Sequence, residues 1–397
     1  MRGRWLQGAG TAVLLATLSA CSSSIPGTPV ADPTATAGRL DTGNYANTPQ
    51  PVKASAAADW WQQEAYRLAD SVVAPWDVDA AIARKADGET PAPVLGAYLI
   101  TNSGVPGPHL LPTSKSSVFQ GIPIQTGFVS AASDPSGVVL RIGAIRFADA
   151  TTASRALDAL TATPAVPSGA PTGTRVLTEG TLDGKHWLTL GTTRANLLLV
   201  SSTSSPSPGR TTDSLVTKAL SMQADKIGNY QQSSMDSVTN TPNVPMDTDD
   251  KIMEYTVRAG AGTPQPLAGT SASVGYLDGY MTPRTLAMTT VGVKSEIETQ
   301  AAKYGWELYA SRSGVSTTRY RDVDSARRYF SDRFGEGKGV VPGIPAENAR
   351  CGKVASGGYS CTAWAGGRYT SSAASNTLTK AQQIISAQYL LLQQRPS

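Results

Sequence analysis

Histidine is almost missing: the chain of 397 residues holds only His109 and His186. That scarcity removes most metal sites and most catalytic triads that need an imidazole. Cysteine is nearly as rare, with Cys21, Cys351 and Cys361 alone, so neither a zinc quartet nor a C-x-x-C redox motif can be assembled. Charge is thin at 16% of residues, against about a quarter in ordinary soluble proteins. A formal net charge of +4, part of it from Arg2 and Arg4, is too weak to point to nucleic acid. Past the first twenty residues no apolar run is long enough to span a bilayer; the most apolar, Leu188 to Val200, is interrupted by Arg194 and three threonines. There is no His-Glu-x-x-His, no Gly-x-Ser-x-Gly elbow, no Ser-x-x-Lys and no Walker loop. Gly337-Lys-Gly339-Val-Val-Pro342 has proline where a dinucleotide loop needs its third glycine.

What is present begins at the amino end. Arg2 and Arg4 precede a mostly apolar run from Trp5 to Leu18, and Ser19 and Ala20 are small, which is the three-part pattern of a secretory leader. A membrane-spanning helix is the competing reading, but the run falls short of the ~20 residues a span needs. The segment ends Leu18-Ser19-Ala20-Cys21 and resembles the lipobox of bacterial lipoproteins. The resemblance implies that residues 1–20 are removed and that Cys21 carries diacylglycerol as the mature amino terminus. Acyl chains contribute about 0.8 kcal/mol per buried methylene, so two or three of them anchor a protein stably. The membrane is then a partner through Cys21. Residues 21–55, rich in Ser, Pro, Thr, Ala and Gly, read as a flexible tether, although Leu40 to Tyr45 has anchors that suit docking on the body.

From Ala56 to Val73 the apolar residues Trp60, Trp61, Ala65, Leu68, Ala69 and Val72 fall near a helical period. Strands are expected at Val94 to Ile100, Gly127 to Ser130 and Val138 to Phe147, and a helix from Thr151 to Leu160. Here the chain repeats itself. Arg146-Phe147-Ala148-Asp149 followed by Ala153, Arg155 and Leu157 matches Arg319-Tyr320-Arg321-Asp322 followed by Ala326, Arg328 and Phe330, at an offset of 173 residues. Each copy runs from a strand through an Asp suited to cap the next helix. At an offset of 174, Thr193-Arg194 in the strand pair Trp187 to Val200 matches Gly367-Arg368 after Tyr359 to Trp364. Each copy ends in a helix, Asp213 to Ile227 and Leu378 to Gln394. Further strands are expected at Ser273 to Tyr280 and Thr285 to Lys294, with a helix near Ser295 to Tyr304. The fold class is therefore α+β: two tandem modules, 56–235 and 236–397, packed as an intramolecular pseudo-dimer behind the leader and tether.

Chemistry-bearing residues are few. Cys351 and Cys361 are an even pair left over in an oxidising compartment and are expected to form a disulfide in the second module. His109 lies in a Pro/Gly loop and His186 starts a strand; either acts only if folding brings it to Asp183 or a serine. The acid groups Asp77/Asp79 and Asp247/Asp249/Asp250 suit loops and caps, since no EF-hand spacing follows. Arg319, Arg321, Arg327, Arg328 and Arg333 interleave with Tyr320, Tyr329, Phe330 and Phe334, an arrangement that anionic polymers can use, but the aromatics fall on a core-facing side.

With its lipobox, tether, duplicated aromatic-x-Asp module and late cysteine pair, the chain resembles a family of cell-envelope lipoproteins of unknown function from mycobacteria, nocardiae and rhodococci. That resemblance implies an outer-leaflet location on the plasma membrane and no activity. The expected role is non-enzymatic, binding or scaffolding an envelope lipid, glycan or protein without cofactor, metal or nucleic acid; the alternative is a hydrolase acting on envelope lipids or glycans.

Overall fold

In the computed structural model the described residues are 40–89, 91–96, 101, 109–162, 165–182, 184–207, 210–259, 278–333, 339–354 and 357–395. The leader and Cys21 lie outside them. The first module comprises α1 (Ala57–Ala69), α2 (Pro75–Val78), β1 (Ala92–Val94), β2 (Thr126–Ser133), β3 (Val139–Arg146), α3 (Ala150–Leu160), β4 (Arg175–Leu182), β5 (Lys185–Arg194), β6 (Leu197–Ser205) and α4 (Arg210–Lys226). A two-strand hairpin, β7 (Met235–Asp236) and β8 (Thr241–Pro242), leads to the second. That module comprises β9 (Gly279–Met281), α5 (Pro283–Thr289), α6 (Lys294–Tyr304), β10 (Trp306–Arg312), β11 (Val315–Tyr320), α7 (Val323–Arg333), β12 (Gly339–Val340), β13 (Ala349–Lys353), β14 (Tyr359–Trp364), β15 (Tyr369–Ser375) and α8 (Leu378–Gln393).

The two sheets repeat one topology. The first runs β1-β2-β3-β6-β5-β4 and the second β9-β10-β11-β15-β14-β13, with β12 added at the far edge. Every pairing within them is antiparallel. The fold is thus α+β, with two sheets of similar size compatible with a duplicated module. Strand alternation lets each sheet carry a helix on both faces. In the first, Phe128, Ala144 and Leu199 face Val216, Ala219 and Leu220 of α4, whereas Val129, Ile145 and Val200 face Ala153, Leu157 and Leu160 of α3. In the second, Cys361, Ala363 and Ala373 meet Ile384 and Ile385 of α8. Tyr320 and Trp364 meet Ala326 and Tyr329 of α7 on the other side.

The repeated Asp residues act as helix caps in both copies. The Thr152 amide donates to Asp149 Oδ1 at 2.7 Å and the Ser325 amide to Asp322 Oδ1 at 2.7 Å. Such a cap is worth about 1 kcal/mol. A second shared device sits in the closing helices. Gln223 of α4 accepts from the Val73 amide at 2.7 Å and donates to the Ser71 carbonyl at 3.0 Å. Gln388 of α8 accepts from the Val257 amide at 2.7 Å and donates to the Tyr255 carbonyl at 2.8 Å. Both glutamines are fully buried, and each clamps the exit of a turn whose backbone groups would otherwise be left unsatisfied.

Four expectations need correction. The helix expected over Ala56 to Val73 stops at Ala69, and Pro75 opens α2 at its first turn. Its buried face includes Gln63 and Glu64, while Trp60 and Trp61 are only partly buried. The strand expected over Thr285 to Lys294 is α5 followed by a 3-10 turn, because Thr282 caps the Thr285 amide and Pro283 takes the first helical position. Of Val94 to Ile100, only Val94 lies in a strand, and residues 97–100 lie outside the described part. The expected tether lies on the second module beyond the docking expected of Leu40 to Tyr45, through Asn47 and Gln50 as well. Leu40 and Tyr45 pack on the core beneath α8, Asp41 accepts from Gln383, and the Gln50 carbonyl accepts from Arg312.

The modules meet through α1. Gln62 and Gln63 donate to the carbonyls of Asp278 and Tyr280, and Gln63 accepts from the Tyr280 amide. Gly279 is required there: its φ is +141°, and a Cβ would stand 2.8 Å from Gln63 Oε1 and 3.0 Å from the Tyr66 ring. Beyond it, Met288 and Val291 complete the core of the first module.

Candidate functional site

His109 and His186 are not brought together. Trp187 shares the sheet face of Arg141, whose guanidinium lies 4.3 Å from its ring centre, so alternation turns His186 to the opposite face. His109 sits on the Arg141 side, its Nδ1 3.7 Å from Glu89 Oε1. Arg141 reaches the same oxygen at 2.6 Å and donates to Ser204 Oγ at 3.1 Å. Burial works to raise the Glu89 carboxyl, but Arg141 and His109 together hold it below the usual range. The buried carboxylate is thereby spent on a buried arginine.

Asp247 and Asp250 are also structural. Asp247 accepts the amides of Thr248, Met253 and Glu254 and so pins a turn. Asp250 gathers Arg319, Arg368, the Tyr369 hydroxyl and Thr248 Oγ1. Among the described residues no group of three or more His, Cys, Asp or Glu is placed to hold a metal. Cys351 and Cys361 are bonded, as directly opposed residues of β13 and β14. The interleaved arginines divide: Arg319 serves Asp250, Arg321 pairs with Asp322, and Arg333 pairs with Glu296. Tyr320, Tyr329 and Phe330 are buried, which takes the aromatics out of reach of a ligand, and Phe334 lies outside the described part.

The arrangement with an open, mixed character lies where the modules meet. An open groove is lined by Asp70 at the end of α1, Val73, Asp77 of α2, Met222, Asp225 and Lys226 of α4, and Arg284 of α5. Asp70 accepts from the hydroxyls of Thr282 and Thr285, which ties α1 to α5. Arg284 pairs with Asp77 across the same boundary. Lys226 Nζ donates to the Val72 carbonyl at 2.8 Å, and Arg284 approaches that carbonyl at 3.5 Å. Burial and then the Arg284 charge bring the Lys226 amine down to about 8, against the pull of Asp77 and Asp70. Asp77 is held low despite burial, chiefly by Arg284. The groove thus offers carboxylate acceptors, two cations and apolar walls at Val73 and Met222, with side chains from both modules.

Neither Lys226 nor Arg284 stands out in the sequence. A lysine in the last turn of a helix is ordinary, and the α5 segment reads as a strand until its cap and proline are weighed against its β-branched residues.

Among the described residues no helix is long and apolar enough to cross a membrane. No curated protein matches the chain. Among solved structures, the extracellular domain of PknH from Mycobacterium tuberculosis aligns with 44% of this chain and 98% of its own, at 13% identity and a TM-score of 0.25. Residues 51–243, from just ahead of α1 to just past β8, are similar to the N-terminal domain of a family of unknown function, DUF7373.

Proposed function

We propose that the protein is an exported, lipid-anchored envelope lipoprotein that binds or scaffolds an envelope lipid, glycan or partner protein in the groove between its modules. The observation that carries this reading is the groove itself. Asp70, Asp77, Asp225 and Lys226 from the first module and Arg284 from the second line one open surface. Ligand sites favour such boundaries between structural units. The export half of the reading rests on Leu18 to Cys21 and on the Cys351–Cys361 bond, since disulfides persist in oxidising compartments.

Two measurements test it. Full-length protein expressed in an actinobacterial host partitions into a detergent phase, and Cys21→Ala moves it to the aqueous phase; unchanged partitioning would remove the anchor. Native mass spectrometry of the acyl-free domain, purified from that host, detects a bound species that Asp225→Asn combined with Arg284→Ala releases. Retention of the same species by that variant would place the ligand elsewhere.

A further inference from the structure

We propose that Lys226 is a nucleophilic amine that captures a hydroxyaldehyde, such as the open-chain reducing end of a sugar, as an imine in the groove between the modules. The inference rests on the groove being a ligand site, but not on the lipid anchor. A lysine amine attacks a carbonyl only when unprotonated, and proteins achieve this by desolvating it or by placing another cation beside it. Lys226 has both. It is half-buried, with Val73 and Met222 among the groove walls, and Arg284 from the second module shares its carbonyl acceptor at Val72.

The lysine has no carboxylate within ion-pair distance among the described residues. Lys251, Lys294 and Lys303 each rest against one, at 3.3, 2.7 and 2.8 Å. The nearest acids are committed elsewhere: Asp77 to Arg284 and the Ala74 amide, and Asp70 to the hydroxyls of Thr282 and Thr285. Asp225, exposed and adjacent in sequence, faces the same groove. A second feature selects the substrate. The Asp225 carboxylate on the wall is an acceptor for ligand hydroxyls, so a polyhydroxylated aldehyde is matched better than an apolar one.

The step balances without a co-reactant. The neutral amine bonds to the carbonyl carbon, and the carbonyl π pair moves to oxygen, which takes a proton. The carbinolamine then expels that oxygen as water as the nitrogen lone pair forms the C=N bond, and both protons on the departing water come from the amine nitrogen. Amine and aldehyde give imine and water.

The test is reductive trapping. The acyl-free domain is treated with glyceraldehyde and cyanoborohydride at pH 7.5 and the adducts are mapped by peptide mass spectrometry. Lys218, on the same helix and hydrogen-bonded to the Val78 carbonyl, is the internal control. Lys226 is expected to label at least about tenfold faster than Lys218, because burial and Arg284 bring its own amine down to about 8, and propanal is expected to show a smaller preference. Arg284→Gln is expected to slow Lys226 labelling severalfold and Asp77→Asn to speed it, with Lys218 unchanged and far-UV circular dichroism retained. Equal labelling of Lys226 and Lys218, or an unchanged rate in both variants, overturns the proposal. The trapping needs no native ligand, so its failure leaves the binding reading intact, and loss of the co-purified species leaves the trapping result intact.

Discussion

Arg146 and Arg319 hold the same place in the two modules, at the end of the strand that leads to the capped helix, yet they meet their carboxylates in different surroundings. Arg146 reaches Glu64 at 2.7 Å inside a sealed core, where the arginine side chain is 4% exposed and Glu64 not at all. Both Glu64 oxygens are saturated, by Arg146, Tyr230 and the Ser233 amide on one and by Arg67 and Ser233 Oγ on the other. Arg319 reaches Asp250 at 3.1 Å on a partly open edge, where Asp250 is 24% exposed and Arg368 and Arg395 crowd the same carboxylate. Arg194, the counterpart of Arg368, is exposed, and its guanidinium donates to the Thr193 carbonyl. The arginine and its need for an anion recur in both modules, while solvent access differs.

Energetically the two pairs should therefore behave differently. Glu64→Ala strands a buried guanidinium and is expected to cost about 3–5 kcal/mol, enough to unfold a marginal domain. Urea unfolding measures it, and a loss below about 1 kcal/mol would mean that the sealed pair is no more than a surface bridge.

The buried glutamines should behave alike. Gln223→Ala and Gln388→Ala each leave an amide and a carbonyl without partners, at about 1–3 kcal/mol apiece. Similar losses would bear out equivalent devices in the two copies; a difference of more than about 2 kcal/mol would break the equivalence.

The smallest expected effect is acidic. Burial opposes ionisation of Asp250, but Thr248, Tyr369 and Arg319 lower its carboxyl from 3.8 to about 2. A carboxyl whose folded value lies below its unfolded one stabilises the fold above the unfolded value, and that stabilisation is lost as pH falls toward the folded one. Asp250→Asn should therefore flatten the decline in stability between about pH 4 and pH 2, by at most about 2 kcal/mol and less after solvent screening. Thermal melts across that range decide it, and an unchanged slope would assign the acid transition to other carboxylates.

Much of the architecture was legible in the sequence because it is written locally. Asp149 and Asp322 announce helix starts with short polar side chains, and the β-branched residues of Val138 to Phe147 and the apolar run of Trp187 to Val200 mark strands. The repeat motif linked these signals across 173 residues, and the two sheets of one topology are compatible with it. What escaped has a physical reason in each case. The buried face of α1 carries Gln63 and Glu64, polar residues that enter a core only because Tyr280, Arg146 and Ser233 are waiting there. Strand β4 alternates weakly, with exposed Arg175 and Glu179, and borrows its stability from β5. Leu40 to Ser55 has a linker's composition and is held by glutamines and an arginine far along the chain.

The groove shows the same division most plainly. The sequence by itself carried the expectation of a leader ending at Cys21, the α+β pattern, the capped helices and the pairing of Cys351 with Cys361, because each depends on neighbours or on a periodic pattern. Only the tertiary structure decided that Lys226 and Arg284, 58 positions apart, share the Val72 carbonyl. Desolvation and through-space charge set the state of that amine, and neither is encoded in the residues beside it.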